Sequence, residues 1–226
     1  MNGEIRDLLR GQGVDIVRFV DISRFPKEQT LGFEKAILFC IALTREYVLE
    51  IRNGKEIDYN KDEYLAKELK VEKLADCLAD YICQKGFRAV SQSQESNLKN
   101  GYIEQAYIDP ELRQGISFLP LKAIAWTGGL GFIGKSNLLV TEQYGSAFAM
   151  CAVLTDASIT PEDFPTIESK CGSCDACVVN CPAKALHGNE WTIGSTRESI
   201  VDVSKCCCAL MCMVHCPWTL RYAIGE

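Results

Sequence analysis

Apolar residues recur along this chain with changing period, and each change marks an element. Ile5, Leu8 and Leu9 fall on one face of a short helix that Gly11 and Gly13 then end. Residues 14–22 read as a strand, and the unbroken apolar run 36–43 reads as a buried one. From 62 to 85, Val71, Leu74, Leu78, Tyr81 and Ile82 return at helical spacing, with Gly86 placed to cap the C-terminus. Residues 87–90 suggest a strand, and a polar stretch follows through Lys99 and Asn100. Residues 121–126 look helical, while 138–140 and 147–154 look like strands around a turn at Tyr144-Gly145. Such alternation predicts an α/β (α+β) layered domain.

Composition adds one anomaly to this picture. With 226 residues, 47% apolar and 24% charged, the chain suits a globular protein and excludes disorder, collagen and coiled coil. Its longest apolar run is too short to span a bilayer, and Glu4, Arg6, Asp7 and Arg10 interrupt any signal peptide. The expectation is a cytoplasmic protein with no membrane partner. A net charge of −6 and the lack of any Lys/Arg run argue against nucleic acid, so DNA is not expected as a partner. Thirteen cysteines are the anomaly. The number is odd, so they cannot all pair with one another, and in a reducing compartment clustered cysteines point to metal or redox chemistry.

Nine of the thirteen fall between Cys171 and Cys216. Pro161, Glu162, Asp163 and Pro165 form a polar connection just before them, which sets a boundary between a domain 1–165 and a small cysteine-rich domain 166–226. Cys40 and Cys151, in apolar strands, and Cys77 and Cys83, on the long helix, are expected to be buried small hydrophobes.

Cys171, Cys174, Cys177 and Cys181, followed by Pro182, match the ferredoxin run C-x2-C-x2-C-x3-C-P. Three close thiolates wrap one cubane, and in two-cluster proteins the fourth is carried to the other cluster. A second site is present in altered form. Cys212 and Cys216-Pro217 repeat C-x3-C-P, and Cys206 lies in register, but Ala209 occupies the middle position. Cys208 beside it is the chosen substitute, with Cys207 in reserve. The expected ligands are Cys171, Cys174, Cys177 and Cys216 for one [4Fe–4S] cluster, and Cys181, Cys206, Cys208 and Cys212 for the other. The alternatives are one cluster with a degenerate second site, or zinc, whose cysteine sites usually show separated C-x2-C pairs. His187 and His215 read as loop residues near these sites.

Residues 129–136, Gly-Leu-Gly-Phe-Ile-Gly-Lys-Ser, fit two phosphate-loop patterns at once. Both mechanisms need a strand before the loop and a helix after it, and here the order is reversed, which argues against nucleotide hydrolysis. Asp156 reads as an ordinary turn residue after an apolar strand. The glycines allow either close approach of a flat ligand or a tight chain reversal, and Lys135 adds a cation.

Residues 129–140, then Tyr144-Gly-Ser146, residues 152–156, the Cys171 run and Cys216-Pro-Trp218 occur in an order that resembles the epoxyqueuosine reductases. The likeness extends to their short relatives with a double [4Fe–4S] domain, and to the corrinoid-dependent reductive dehalogenases; it covers residues 119–224. The resemblance implies a nitroreductase-like layered domain followed by a ferredoxin-like two-cluster module. It also implies a cobalamin-type corrinoid lined by Gly131, Gly134, Lys135, Ser136 and Asn137. Three departures accompany it. Where the family has V-D-T-x-P with a proton-donating aspartate, this chain has Gln114-Gly-Ile-Ser-Phe118, leaving Asp109 as a catalytic candidate only in a shifted register. The chain stops at Glu226, so the helical-repeat region of the tRNA-acting enzymes is expected to be absent. The charge of −6 makes tRNA an unexpected partner. The leading expectation is therefore an oxidoreductase whose clusters feed a corrinoid or other flat cofactor and reduce a small molecule. A non-enzymatic carrier that reduces a partner protein is second, and epoxyqueuosine reduction is third.

Overall fold

A computed structural model describes residues 1–58, 61–100 and 119–226. Helix α1 (Asn2–Gly11) leads to strand β1 (Ile16–Asp21), the single turn α2 (Lys27–Thr30) and strand β2 (Lys35–Ala42). Helices α3 (Arg45–Arg52) and α4 (Glu63–Gln84) follow, then β3 (Ala89–Ser91), α5 (Gln94–Lys99) and α6 (Leu121–Thr127). A two-residue hairpin, β4 (Phe132–Ile133) and β5 (Leu139–Val140), precedes the long strand β6 (Phe148–Thr155). Short helices α7 (Ala176–Val179), α8 (Met211–Val214) and α9 (Pro217–Ile224) carry the cysteine-rich end.

The main sheet has the order β1-β2-β6-β3 and every pairing in it is antiparallel. The fold is thus mixed α/β, with layers as the sequence suggests but, among the described residues, without parallel crossovers. Successive residues of a strand face opposite sides. Ile37, Phe39, Cys151 and Val153 pack on one face with Ile5 and Leu9 of α1 and Val71, Leu78 and Ile82 of α4. Ala36, Leu38, Cys40, Ala152 and Leu154 pack on the other with Ile124 and Ala125 of α6. Burial on both faces explains the unbroken apolar runs of β2 and β6.

Capping fixes the turn into α4. Asp62 is buried; its carboxylate accepts the Leu65 amide at 3.0 Å and the Tyr47 hydroxyl at 2.7 Å, joining α4 to α3. Gly86, at φ +89°, ends α4 through the amide of Phe87 reaching the Ile82 carbonyl. The polar stretch after β3 forms α5, capped by Ser93, whose hydroxyl accepts the Ser96 amide at 3.1 Å. Only Asn97 of α5 is buried, so the helix carried no apolar period. Cys40 and Cys151 are buried, but Cys77 and Cys83 are exposed, contrary to expectation, because they lie on the solvent side of α4.

Strand β1 is an edge of the sheet, and the connection after β6 runs along it. The Glu162 amide donates to the Phe19 carbonyl at 2.7 Å, while the Phe19 amide donates to the Glu162 carboxylate at 3.2 Å. Arg6 of α1 holds the same carboxylate at 2.8 Å.

The β5–β6 turn docks on α9. Gly145 has φ +56°, and a Cβ there would lie 2.3 Å from the Thr219 amide nitrogen; the Thr219 hydroxyl accepts the Ser146 amide at 3.0 Å. Gly145→Ala therefore combines backbone strain with a backbone clash and should lower stability by about 2 kcal/mol or more. Gly54→Ala, at φ +91° with open space around it, should cost only the strain, about 1 kcal/mol. Urea unfolding of the two variants checks the difference; equal losses would show that α9 yields freely.

Candidate metal centre

The cysteine-rich end is built from two similar half-turns. Gly172, at φ +51°, lets the chain reverse after Cys171, and the Cys174 amide bonds back to the Cys171 carbonyl at 2.9 Å. Cys177 stands on α7, and Cys181 follows it just before Pro182. In the second half, left-handed residues Cys208 (φ +52°) and Leu210 (φ +56°) tighten the loop ahead of α8, which carries Cys212. Cys216 then stands at the N-cap of α9, with Pro217 as its first residue. Helices α7 and α8 lie against each other, with Cys177, Cys181, Cys206 and Cys212 packed around Ala185, Leu186 and Val201.

The thiols lie close enough to perturb one another. Cys177 is pushed up to about 11, first by burial and then by the approach of Cys171, Cys216 and Cys174. Burial pushes Cys212 up to about 12, with Cys206, Cys177 and Cys181 adding to the shift. Cys206 is raised first by burial and then by Cys208, with Cys181 also in range. Cys207 is exposed. Among the described residues no three such side chains close on a single point as they would around one metal ion. Crowded thiolates of this kind repel one another, and a bound group carrying positive charge relieves that repulsion. His215 is held through its Nδ1 atom by the Met211 carbonyl at 3.1 Å, and the His187 amide donates to the Ile200 carbonyl at 3.0 Å.

The glycine loop is the β4–β5 hairpin with α6 before it, so no strand–loop–helix phosphate cradle forms. Its glycines are packed against protein. A Cβ on Gly129 would lie 2.5 Å from the Phe164 Cβ; on Gly131, 2.2 Å from the Val140 carbonyl oxygen. On Gly134 it would lie 3.5 Å from the Cys171 Sγ. The Lys135 ammonium donates to the Gly172 carbonyl at 2.6 Å and the Cys174 carbonyl at 3.2 Å. The Ser136 hydroxyl accepts the Leu138 amide at 3.4 Å. Asn137 adopts φ +59°, and its carbonyl accepts from the Lys122 ammonium at 2.6 Å. Burial lowers that lysine to about 8, with Arg197 contributing. Asp156 is a turn residue tied to Arg88 at 2.7 Å. Asp109 and the segment 114–118 lie outside the described residues.

Of the five candidate residues, Lys135, Ser136 and Asn137 are engaged with protein, whereas Gly131 lines an open groove. Sequence spacing could not reveal this, because Lys135 and the carbonyls it binds are about forty residues apart and joined only by the fold. That groove, of about 760 Å³, is bounded by β1, residues 129–132 of the glycine loop, residues 140–143 and Trp218. It mixes Arg6, Arg10, Arg18 and Lys170 with Asp15, Glu142 and Glu162. Among the described residues no helix is long and apolar enough to cross a membrane.

No family model matches the chain. Among curated proteins it is 46% identical over 67 residues to an epoxyqueuosine reductase of Lactococcus garvieae, covering 30% of this chain and 18% of that protein. It is 32% identical over 127 residues to the Staphylococcus aureus epoxyqueuosine reductase, covering 55% and 31% respectively. These matches span less than a third of the relatives' own length. Among solved structures, an epoxyqueuosine reductase aligns over 96% of this chain and 65% of its own, with a TM-score of 0.61 and 17% identity. A catabolic reductive dehalogenase aligns over 97% of this chain and 33% of its own, with a TM-score of 0.68 and 17% identity.

These findings overturn the expectation that tRNA is an unsuitable partner. The curated relatives that the chain matches are named epoxyqueuosine reductases. A net charge of −6 averages over the whole surface and does not govern any one face of it. The chain is related to the epoxyqueuosine reductases and shares its fold with them and with a reductive dehalogenase.

Proposed function

We propose that this protein is an iron–sulfur oxidoreductase in which two [4Fe–4S] clusters relay single electrons to an acceptor. The segment 166–226 acts as the two-cluster module and 1–165 as its platform. The observation that supports this reading is the packing of the two cysteine segments on each other through α7 and α8, with Cys177, Cys181, Cys206 and Cys212 in one apolar cluster and Cys216 of the second segment in range of Cys177. Cys181 from the first half-turn approaches Cys206 and Cys212, with Cys208 against Cys206. Four thiolates per group fit a cubane, and when bound the clusters supply one-electron transfer. Cys208 rather than Cys207 completes the second set, because its left-handed backbone turns it toward Cys206 while Cys207 stays exposed. A reducing cytoplasm suits the thirteen free thiols.

The acceptor is a small molecule or, by relationship to the epoxyqueuosine reductases, the modified nucleoside of a tRNA. A corrinoid is supported by the fold shared with a dehalogenase described as B12-dependent; of the five candidate loop residues Gly131 lines the groove, while Lys135 is engaged with the cysteine loop. A second reading, a carrier that hands electrons to a partner protein, is favoured by one observation: the Lys135 ammonium is engaged with the cysteine loop instead of facing a ligand.

Protein purified without oxygen should contain about eight irons and eight sulfides per chain. Cys207→Ala should keep them, whereas Cys208→Ala should lose about half. Zinc in place of iron, or about four irons in the unaltered chain, would refute the two-cluster reading. Added cobalamin should change the visible spectrum only if a corrinoid site exists; an unchanged spectrum eliminates that acceptor. Restoring queuosine in a strain unable to reduce epoxyqueuosine would identify the tRNA reaction, and failure to do so leaves the carrier or small-molecule reading in force.

A further inference from the structure

Lys135 sits where a phosphate-binding lysine would, yet its ammonium is turned onto the backbone of the first cysteine loop. The contacts are to the carbonyls of Gly172 and Cys174, the residues on either side of Ser173 within the first C-x2-C turn. Neighbouring Gly134 brings its own backbone up to the Cys171 sulfur. Among the described residues no carboxylate pairs with Lys135, so its positive charge is not cancelled locally. The second cysteine loop is treated differently. Lys205, adjacent to Cys206, is paired with Asp202 at 2.8 Å. The two loops therefore present unequal electrostatic surroundings to whatever they hold.

The geometry points to Lys135 as a positioning residue that fixes the Cys171–Cys174 loop and raises the reduction potential of the cluster held there above that of its neighbour. The inference rests on the two-cluster reading and adds an order to it. A reduced cluster carries one more negative charge than an oxidised one, so a cation held against its loop favours the reduced form. The hydrogen bonds contribute as well. In a trans peptide the N–H points opposite to the C=O. Fixing the Gly172 and Cys174 carbonyls on Lys135 turns the amides of Ser173 and Asp175 away from the lysine, which sets the loop's dipoles in one arrangement. Electrons arriving at the second cluster then pass downhill to the first, the one seated against the glycine hairpin and the groove beside it.

Redox titration of the anaerobically purified protein, followed by electron paramagnetic resonance, tests this. Lys135→Gln should lower one midpoint and leave the other in place. At the wild-type midpoint the reduced-to-oxidised ratio of that cluster should fall by about tenfold, as expected for a unit charge lost a few ångströms away in partly solvated surroundings. Lys135→Arg, which keeps charge and donors, should restore the midpoint. Two unmoved midpoints in Lys135→Gln would overturn the proposal. If Lys135→Gln instead fails to retain iron, Lys135→Arg decides: retained clusters at near wild-type midpoints support the role, and loss of iron there too overturns it. Wild-type protein without clusters would defeat the iron–sulfur reading itself, which keeps the two failures apart.

Discussion

Strands β2 and β6 pair over eight residues in continuous antiparallel register, from Lys35 opposite Thr155 to Ala42 opposite Phe148, and both are buried on both faces. A one-residue slip would exchange Phe39 and Ile37 for Leu38 and Ala36 on the face covered by α1 and α4, mismatching both layers at once. Each large side chain buried there is worth roughly 1.5–3 kcal/mol, so the register is strongly fixed. The same pairing also places the far ends of the chain. Strand β2 runs directly into α3, which packs on α8 and α9, while β6 leads into the connection that delivers Cys171. Both margins of the cysteine-rich end are therefore set by one long-range pairing.

The hairpin between α6 and β6 converts that framework into a seat. Gly129 meets Phe164 and Gly145 meets Thr219, so backbone approaches backbone on both sides of the cysteine segment. Trp126 adds a hydrogen bond from its indole nitrogen to the Ile167 carbonyl at 2.9 Å. These contacts are why the glycines are needed, and they need no ligand to account for them. The residues that resemble a cofactor loop by their spacing act here as joints between the sheet-bearing part and the cysteines.

The buried runs of β2 and β6 and the long period of α4 were legible in the sequence, because each places many apolar residues in a regular pattern. The spacing of Cys171, Cys174, Cys177 and Cys181 was equally legible, since it is written locally. Helix α3 was overlooked because only Tyr47, Val48 and Ile51 are buried in it, and α5 because its residues are almost all polar. The exposure of Cys77 and Cys83 turns on the rotation of α4, which depends on what packs against it. The partners of Lys135 were not legible because they come from a distant segment. The charge argument against tRNA failed for a related reason: a sum over the chain carries no spatial information.

The clasp of Glu162 on β1 bears on how the protein behaves in a crowded cell. Strand β1 has the apolar, β-branched composition that invites another chain to add itself at an open sheet edge. Glu162 occupies that edge at Phe19 with one backbone donor and one side-chain acceptor, imitating a further strand without extending the sheet. Because its carboxylate is also held by Arg6, the blocking group is anchored to α1 rather than left to swing in solvent. The connection that leads toward the cysteines thus doubles as a guard against edge-to-edge aggregation, and solubility and delivery of the cysteine-rich segment depend on the same few residues.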